Sequence, residues 1–291
     1  MPTYTGADSA QLHYDVLDRA RAQSDPLVLL AGGAARHPAY LGDLGGLDTT
    51  YRLVVPHLRG VGETPMPADP TRGSFWRQAE DVERLREHLG LDRLLLAGHS
   101  AGSRIAVSYA AQFPDRVGAL VLITPPTAYL VDVEPDSDDL VESRMRDPVF
   151  AAAAAAMDVD VSDGTEDTFN EWQLSVAPVG YAAWGKAEQS HAAEGTYVFE
   201  AAKAFFSVDP PTDVRERLGR VRAPVLVVGG AQDVMLGVAP LRALAELFLL
   251  GRLAVIEGSA HYPFVEAPDA FAGIVREFLD KAFGVGQGLG A

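Results

Sequence analysis

The chain of 291 residues contains no cysteine. A disulfide framework, a thiolate metal site and a cysteine nucleophile are therefore excluded. Lysine is almost as scarce and stands only at 186, 203 and 281. No apolar run reaches the ~20 residues that a membrane-spanning helix requires. The opening residues, Met1-Pro-Thr-Tyr-Thr5, lack the basic stretch and apolar run of a secretory signal. A cytoplasmic protein is the expectation. Positive charge is also in short supply: 24 Lys and Arg stand against 40 Asp and Glu, for a formal net charge of −16. Such a surface repels phosphate backbones and anionic lipid, so neither nucleic acid nor a membrane is an expected partner. The acidity serves solubility or favours a cationic substrate. No motif asks for a cofactor or a metal ion, no internal repeat is visible, and nothing speaks to oligomeric state.

What is present is enough apolar residue, 48% of the chain, to bury a sizeable core. Short aliphatic runs without alternation recur at Leu27–Leu30, Leu53–Val55, Leu94–Leu96 and Ala119–Ile123, then at Pro224–Val228 and Leu253–Ile256. These are the marks of parallel strands covered on both faces. Helical spacing is expected over about 74–90, 101–113, 238–249 and 268–283. Alternating strands and helices predict an α/β protein with a doubly wound, mostly parallel sheet. Residues 127–210 break the pattern: they are Ala-rich, acidic and punctuated by Pro, with short helices expected at about 137–157, 166–175, 179–192 and 196–207. The predicted organisation is a core of 1–126 and 211–283, a helical cap inserted at 127–210, and a flexible Gly-rich tail at 284–291.

Gly98-His99-Ser100-Ala101-Gly102 falls between a predicted strand and a predicted helix. That context turns a common G-x-S-x-G into a nucleophile elbow. Side chains at the flanking positions would clash in so tight a turn, and the amide of Ala101 at the helix start would face a developing oxyanion. A serine needs a base. Of the seven histidines, only His191 and His261 follow Ser100. His261 lies in a loop directly after the last aliphatic strand, whereas His191 falls within the cap as a surface or pocket residue. Asp233, just after the strand ending at Val228, is the acid candidate, with Glu257 as the alternative. A second oxyanion amide is expected from Ala31-Gly32-Gly33-Ala34, at Gly33 or its neighbour Ala34.

These residues resemble the α/β-hydrolase superfamily over nearly the whole chain. Arg59-Gly-Val-Gly-Glu-Thr64 is similar to its RG-x-G-x-[ST] loop, Phe113-Pro-Asp-Arg-Val117 to its P-[ED]-R-V step, and His261-Tyr-Pro-Phe-Val-Glu266 to its H-x-P-x-x-E segment. The nearest likeness is to cap-bearing proline iminopeptidases. That resemblance implies a serine hydrolase acting on an ester or amide of a small molecule or short peptide, with no cofactor. It also implies cap carboxylates for a free amine, here Glu188 and Glu194, with Trp184 and Tyr181 near the substrate. Tyr181, Trp184, Phe205 and Phe206 could line a pocket, but their helical spacing favours cap core. Two departures stand out: Ala31 where the family usually has His, and His57 where it usually has Asp. They point away from a peptidase and toward an esterase, a lactonase or a biosynthetic enzyme. The alternatives are cyclase or lyase chemistry on the same fold, and a non-catalytic binding protein.

Overall fold

The aliphatic runs form the middle of a single sheet. The computed structural model describes residues 1–19, 21 and 25–286. Among them are eight strands: β1 (Thr3–Thr5), β2 (Gln11–Leu17), β3 (Leu27–Leu30), β4 (Leu53–Pro56), β5 (Leu94–His99), β6 (Val117–Ile123), β7 (Val225–Gly230) and β8 (Gly251–Ile256). Their order is β1-β2-β4-β3-β5-β6-β7-β8. The pairings among β3 to β8 are parallel, while β1–β2 and β2–β4 are antiparallel. This is the α/β-hydrolase fold that the sequence predicts, with an edge hairpin that it does not. The hairpin went unread because β2 is half exposed and mixes polar with apolar residues, so it contains no aliphatic run.

Alternate side chains of each central strand enter different cores. Val28, Leu30, Leu94, Leu96, Leu120, Leu122, Val225 and Val227 face one layer. Leu27, Leu29, Leu95, Ala97, Val121, Leu226 and Val228 face the other. Burial on both sides is why these strands read as continuous apolar runs. The first layer contains α1 (Gln78–His88) and α2 (Ala101–Gln112). Between β6 and β7 come α3 (Asp138–Arg144), α4 (Pro148–Ala156), α5 (Glu166–Val176), α6 (Lys186–Ala192), α7 (Phe199–Phe205) and α8 (Val214–Leu218). The single helix expected over 137–157 is two, because Pro148 starts α4 with Asp147 capping it: the Asp147 side chain accepts from the amide of Val149. After β7 follow α9 (Ala239–Glu246), α10 (Pro263–Glu266) and α11 (Pro268–Gly286). α9 packs with the first layer, and α11 closes the second with Phe271, Val275 and Leu279. α11 runs through residues expected in the flexible tail, and 287–291 lie outside the described residues.

Candidate active site

Strand β5 delivers Ser100 directly into the first turn of α2. Ser100 sits at φ 50° and ψ −123°, the left-handed side that a β-carbon disfavours. Such a conformation costs on the order of 1–3 kcal/mol and persists only where its surroundings impose it. Here the Ser100 amide is held by the carbonyl of Ile123 at 2.8 Å, and its carbonyl accepts from the amide of Ser103 at 2.9 Å. The flanking glycines follow from close approach. A β-carbon on Gly102 would stand 2.4 Å from the Leu30 carbonyl oxygen, and one on Gly98 2.8 Å from the Gly102 backbone.

Two later strand ends reach the same spot. Asp233 follows β7 and His261 follows β8, and both are buried. His261 Nδ1 lies 2.8 Å from Asp233 Oδ2, and His261 Nε2 lies 2.8 Å from Ser100 Oγ. The second carboxylate oxygen of Asp233 accepts from the amide of Met235 at 3.0 Å. A carboxylate only accepts, so Nδ1 carries the proton and Nε2 offers its lone pair to the serine hydroxyl. Such a chain can take a proton from Ser100 onto the imidazole. Glu257, the alternative acid, is exposed and has no bond to His261.

The loop after β3 lies against this elbow. A β-carbon on Gly32 would be 2.4 Å from the His99 carbonyl and 3.0 Å from Ser100 Cβ. Gly33, Ala34 and Ala35 all have positive φ. Neither the Gly33 amide nor the Ala101 amide has a protein acceptor among the described residues. Ala31 is fully buried, and the polar support of the loop comes instead from Tyr40, whose hydroxyl accepts from the Gly32 amide at 2.6 Å. Tyr40 in turn donates to His99 Nδ1 at 2.8 Å, and His99 Nε2 donates to the His261 carbonyl at 3.0 Å. Burial holds His99 well below the usual histidine pKa, so it stays neutral in this relay. The other departure, His57, is buried and holds the Arg59–Thr64 loop: Nδ1 accepts from the Glu63 amide at 3.1 Å, and Nε2 donates to Asp15 at 3.0 Å.

The family model of the alpha/beta hydrolase fold matches residues 25–268. The chain belongs to this family. The hydrolase is 24% identical over 279 residues to the proline iminopeptidase of Lactobacillus helveticus, covering 90% of this chain and 92% of that one. In three dimensions it is similar to a thermophilic esterase from Thermogutta terrifontis, with a TM-score of 0.70 and 21% identity over 97% of this chain and 98% of that one. It is also similar to the enol-lactonase from Burkholderia xenovorans LB400, with a TM-score of 0.63 and 19% identity over 96% of this chain and all of the other. At such identities the two structures speak to the fold of the hydrolase alone.

The residues expected to meet substrate are arranged otherwise in this hydrolase. Glu188 caps α6, its carboxylate accepting from the Gly185 amide at 2.9 Å. Glu194 points into solvent, while its carbonyl accepts from the Arg36 guanidinium at 2.7 Å. Tyr181 is buried, stacks on Tyr262 at 4.7 Å and donates to His191 Nδ1 at 2.6 Å. Trp184 packs on Tyr181 at 5.3 Å. None of these four lines the cavity that opens beside Gly33 and Ala34. Phe205 is core, as its spacing suggested, but Phe206 is exposed and lines that cavity. His191 is neither surface nor pocket: it is buried and pins the insertion to the core through Nε2, which donates to the Tyr40 carbonyl at 2.8 Å. Its burial lowers its pKa to about 4.

Arg36 carries no signal in the sequence that would single it out. It is 2% exposed and has no carboxylate partner among the described residues. Its guanidinium donates to the carbonyls of His191, Ala192 and Glu194, donates to the Tyr262 hydroxyl at 3.3 Å, and lies 4.3 Å over the Tyr40 ring. Its backbone pairs with Tyr197 in a single antiparallel bridge, where the chain after Gly33 meets the insertion. Carbonyls at the end of α6 carry partial negative charge, which a buried cation can offset. Among the described residues, no group of three or more His, Asp or Glu side chains is placed to hold a metal ion, and no helix is long and apolar enough to cross a membrane.

Proposed function

We propose that Ser100, His261 and Asp233 are a catalytic triad that hydrolyses an ester of a small substrate through an acyl-enzyme. The observation that carries this is the unbroken chain from Ser100 Oγ through the two nitrogens of His261 to Asp233, at 2.8 Å for each bond. Ser100 Oγ attacks the ester carbonyl as its proton passes to His261 Nε2. Asp233 stabilises the imidazolium and holds its orientation. The amides of Gly33 and Ala101 take the negative oxygen of the tetrahedral intermediate. His261 then protonates the departing alcohol. Water repeats the sequence on the acyl-enzyme, losing its proton to His261 and releasing the acid and free Ser100. We read residues 127–210 as the cap over this centre.

An ester is favoured over an N-terminal peptide because Glu188 is taken up by a helix cap and Glu194 by solvent, so neither supplies an anion for a free amine. The test is a screen of p-nitrophenyl esters against prolyl and alanyl arylamides. Ester hydrolysis is expected, with Ser100→Ala lowering kcat on the order of 10⁵-fold and a fluorophosphonate labelling Ser100 only in the unsubstituted enzyme. Near-full activity in Ser100→Ala would falsify the mechanism. Turnover without incorporation of oxygen from labelled water would replace hydrolysis with cyclase or lyase chemistry.

A further inference from the structure

A cavity of about 460 Å³ opens between the Gly33–Ala34 loop and the insertion. That is the size range of sites for small organic ligands. α5 contributes Phe169 and Trp172, α7 contributes Phe199 and Ala202, and Phe206 follows at the end of α7. Three of the rings run in series with nearly parallel planes. Phe169 and Trp172 are 5.9 Å apart at 24°, and Phe169 and Phe199 are 4.8 Å apart at 29°. Stacked on one another, they give the cavity an apolar aromatic wall against which a further ring can pack.

Position assigns the occupant to one side of the scissile bond. The cavity reaches the proposed oxyanion loop at Gly33 and Ala34, and includes neither Ser100 itself nor any residue of the loops that carry Asp233 and His261. The leaving alcohol must meet His261 Nε2 to be protonated, so it departs on the other side. The group left against the cavity is the one still attached to the carbonyl carbon.

Charge narrows the class further. The charged residues of the lining are Asp160 and Lys203, of opposite sign. Asp160 is exposed and accepts from the Ser162 amide at 2.9 Å. Lys203 lies 4.0 Å over the Phe199 ring and 3.1 Å from Glu200 at the rim. Neither offers an unpaired counter-ion among the rings, so the lining supplies no ion pair for a charged acyl group.

Resting on the acyl-enzyme reading above, we propose that the acyl group of the substrate is uncharged and ends in a planar aromatic ring, held against the aromatic wall that α5 and α7 build. The class is aryl-alkanoyl esters, of which 3-phenylpropionate is the simplest probe.

The experiment compares p-nitrophenyl esters of acetate, 3-phenylpropionate, octanoate and phenylalanine. The expected kcat/KM for phenylpropionate exceeds that for acetate by about 100-fold, and exceeds that for octanoate and for the free-amine phenylalanine ester. Ala202→Phe fills the cavity and is expected to cut the phenylpropionate-to-acetate ratio by about 30-fold, whereas exchanging p-nitrophenol for methanol as leaving group leaves that ratio's response to the substitution unchanged. If Ala202→Phe fails to fold, inhibition of the unsubstituted enzyme decides: 2-phenylethylboronic acid should bind about 100-fold tighter than methylboronic acid. Equal rates on acetate and phenylpropionate, with acetate hydrolysis still abolished by Ser100→Ala, overturn the acyl assignment and leave the triad standing. Octanoate ahead of phenylpropionate overturns the planar ring, and the phenylalanine ester ahead overturns the neutral group. No Ser100-dependent hydrolysis of any ester removes the reading on which both rest.

Discussion

The ends of the parallel strands and the helical insertion solve opposite problems. At the strand ends, the polar atoms are locked. Ser100, Asp233 and His261 hang from β5, β7 and β8, whose register is set by the sheet. The backbone around them is tied by Tyr40, His99 and Thr124, the last donating to the His261 carbonyl at 3.0 Å. The insertion is built from helices of 7 to 11 residues between β6 and the end of α7, and leaves Met145, Val149, Met157 and Leu174 largely exposed. It is fastened to the core through apolar contact, with Phe199, Ala201 and Phe205 in the first core layer, and through polar pins. Among these are Arg36, His191, the His261 amide on the Gly180 carbonyl, and Glu266, which accepts from Ala182 on one side and Ala260 on the other. On the proposed function, chemistry that needs fixed distances rests on the sheet, while the choice of substrate rests on side chains of the insertion.

The largest effect that would break this division is expected at Asp233. Asp233→Asn should leave the fold intact and lower kcat by about 10⁴-fold, because an amide in that position no longer holds the Nδ1–H tautomer of His261. Circular dichroism and steady-state kinetics check it. A loss of folding instead would mean that the strand ends are not independently rigid.

Arg36 tests the seam between the regions. Arg36→Met leaves buried carbonyls of 191, 192 and 194 without their donor, and the expected loss of stability is about 3 kcal/mol. Limited proteolysis should then cut within 182–198 while amides of β3, β5 and β6 stay protected from exchange. If both regions lose protection together, the insertion is not a separable layer.

The smallest effect concerns acid. The folded-state pKa of His191 is about 4, below the ~6.5 of an exposed histidine. The unfolded chain therefore takes up a proton that the native state refuses between those values. The stability that neutral His191 contributes is complete above about pH 6.5 and is lost on the order of 2 kcal/mol as pH falls to about 4. His99, shifted the same way, adds to the slope. Urea unfolding at pH 7 and pH 5 measures it. His191→Gln should flatten the dependence by about one proton, and an unchanged slope would show that His191 is not the group refusing the proton.

How much was legible follows from the range of each interaction. The strands that bury both faces announce themselves as Leu- and Val-rich runs, and Gly98 and Gly102 flank Ser100 because neighbouring backbone leaves no room for a β-carbon. The candidate residues Asp233 and His261 could be named because each follows such a run. Glu188 and Glu194 could not be judged from sequence: a carboxylate that caps a helix and one that binds an amine look alike in a string of letters. Phe169, Trp172 and Phe199 gave no signal either. Aromatic residues at helical spacing pack a core or line a cavity depending on what stands opposite.

The sequence by itself determined the strand, the turn and the helix around Ser100, since each leaves its mark within a few residues: an aliphatic run that goes with burial on two faces, a glycine on either side of the serine, and small residues that open the helix. Only the tertiary structure decided that a histidine 161 residues away would stand 2.8 Å from the serine hydroxyl. It alone decided that Arg36 would grip an insertion more than 150 residues further on, and that aromatic residues of that insertion would line a cavity beside Gly33. Those placements depend on how the parallel strands stack and how the insertion folds back over them. No local preference encodes that.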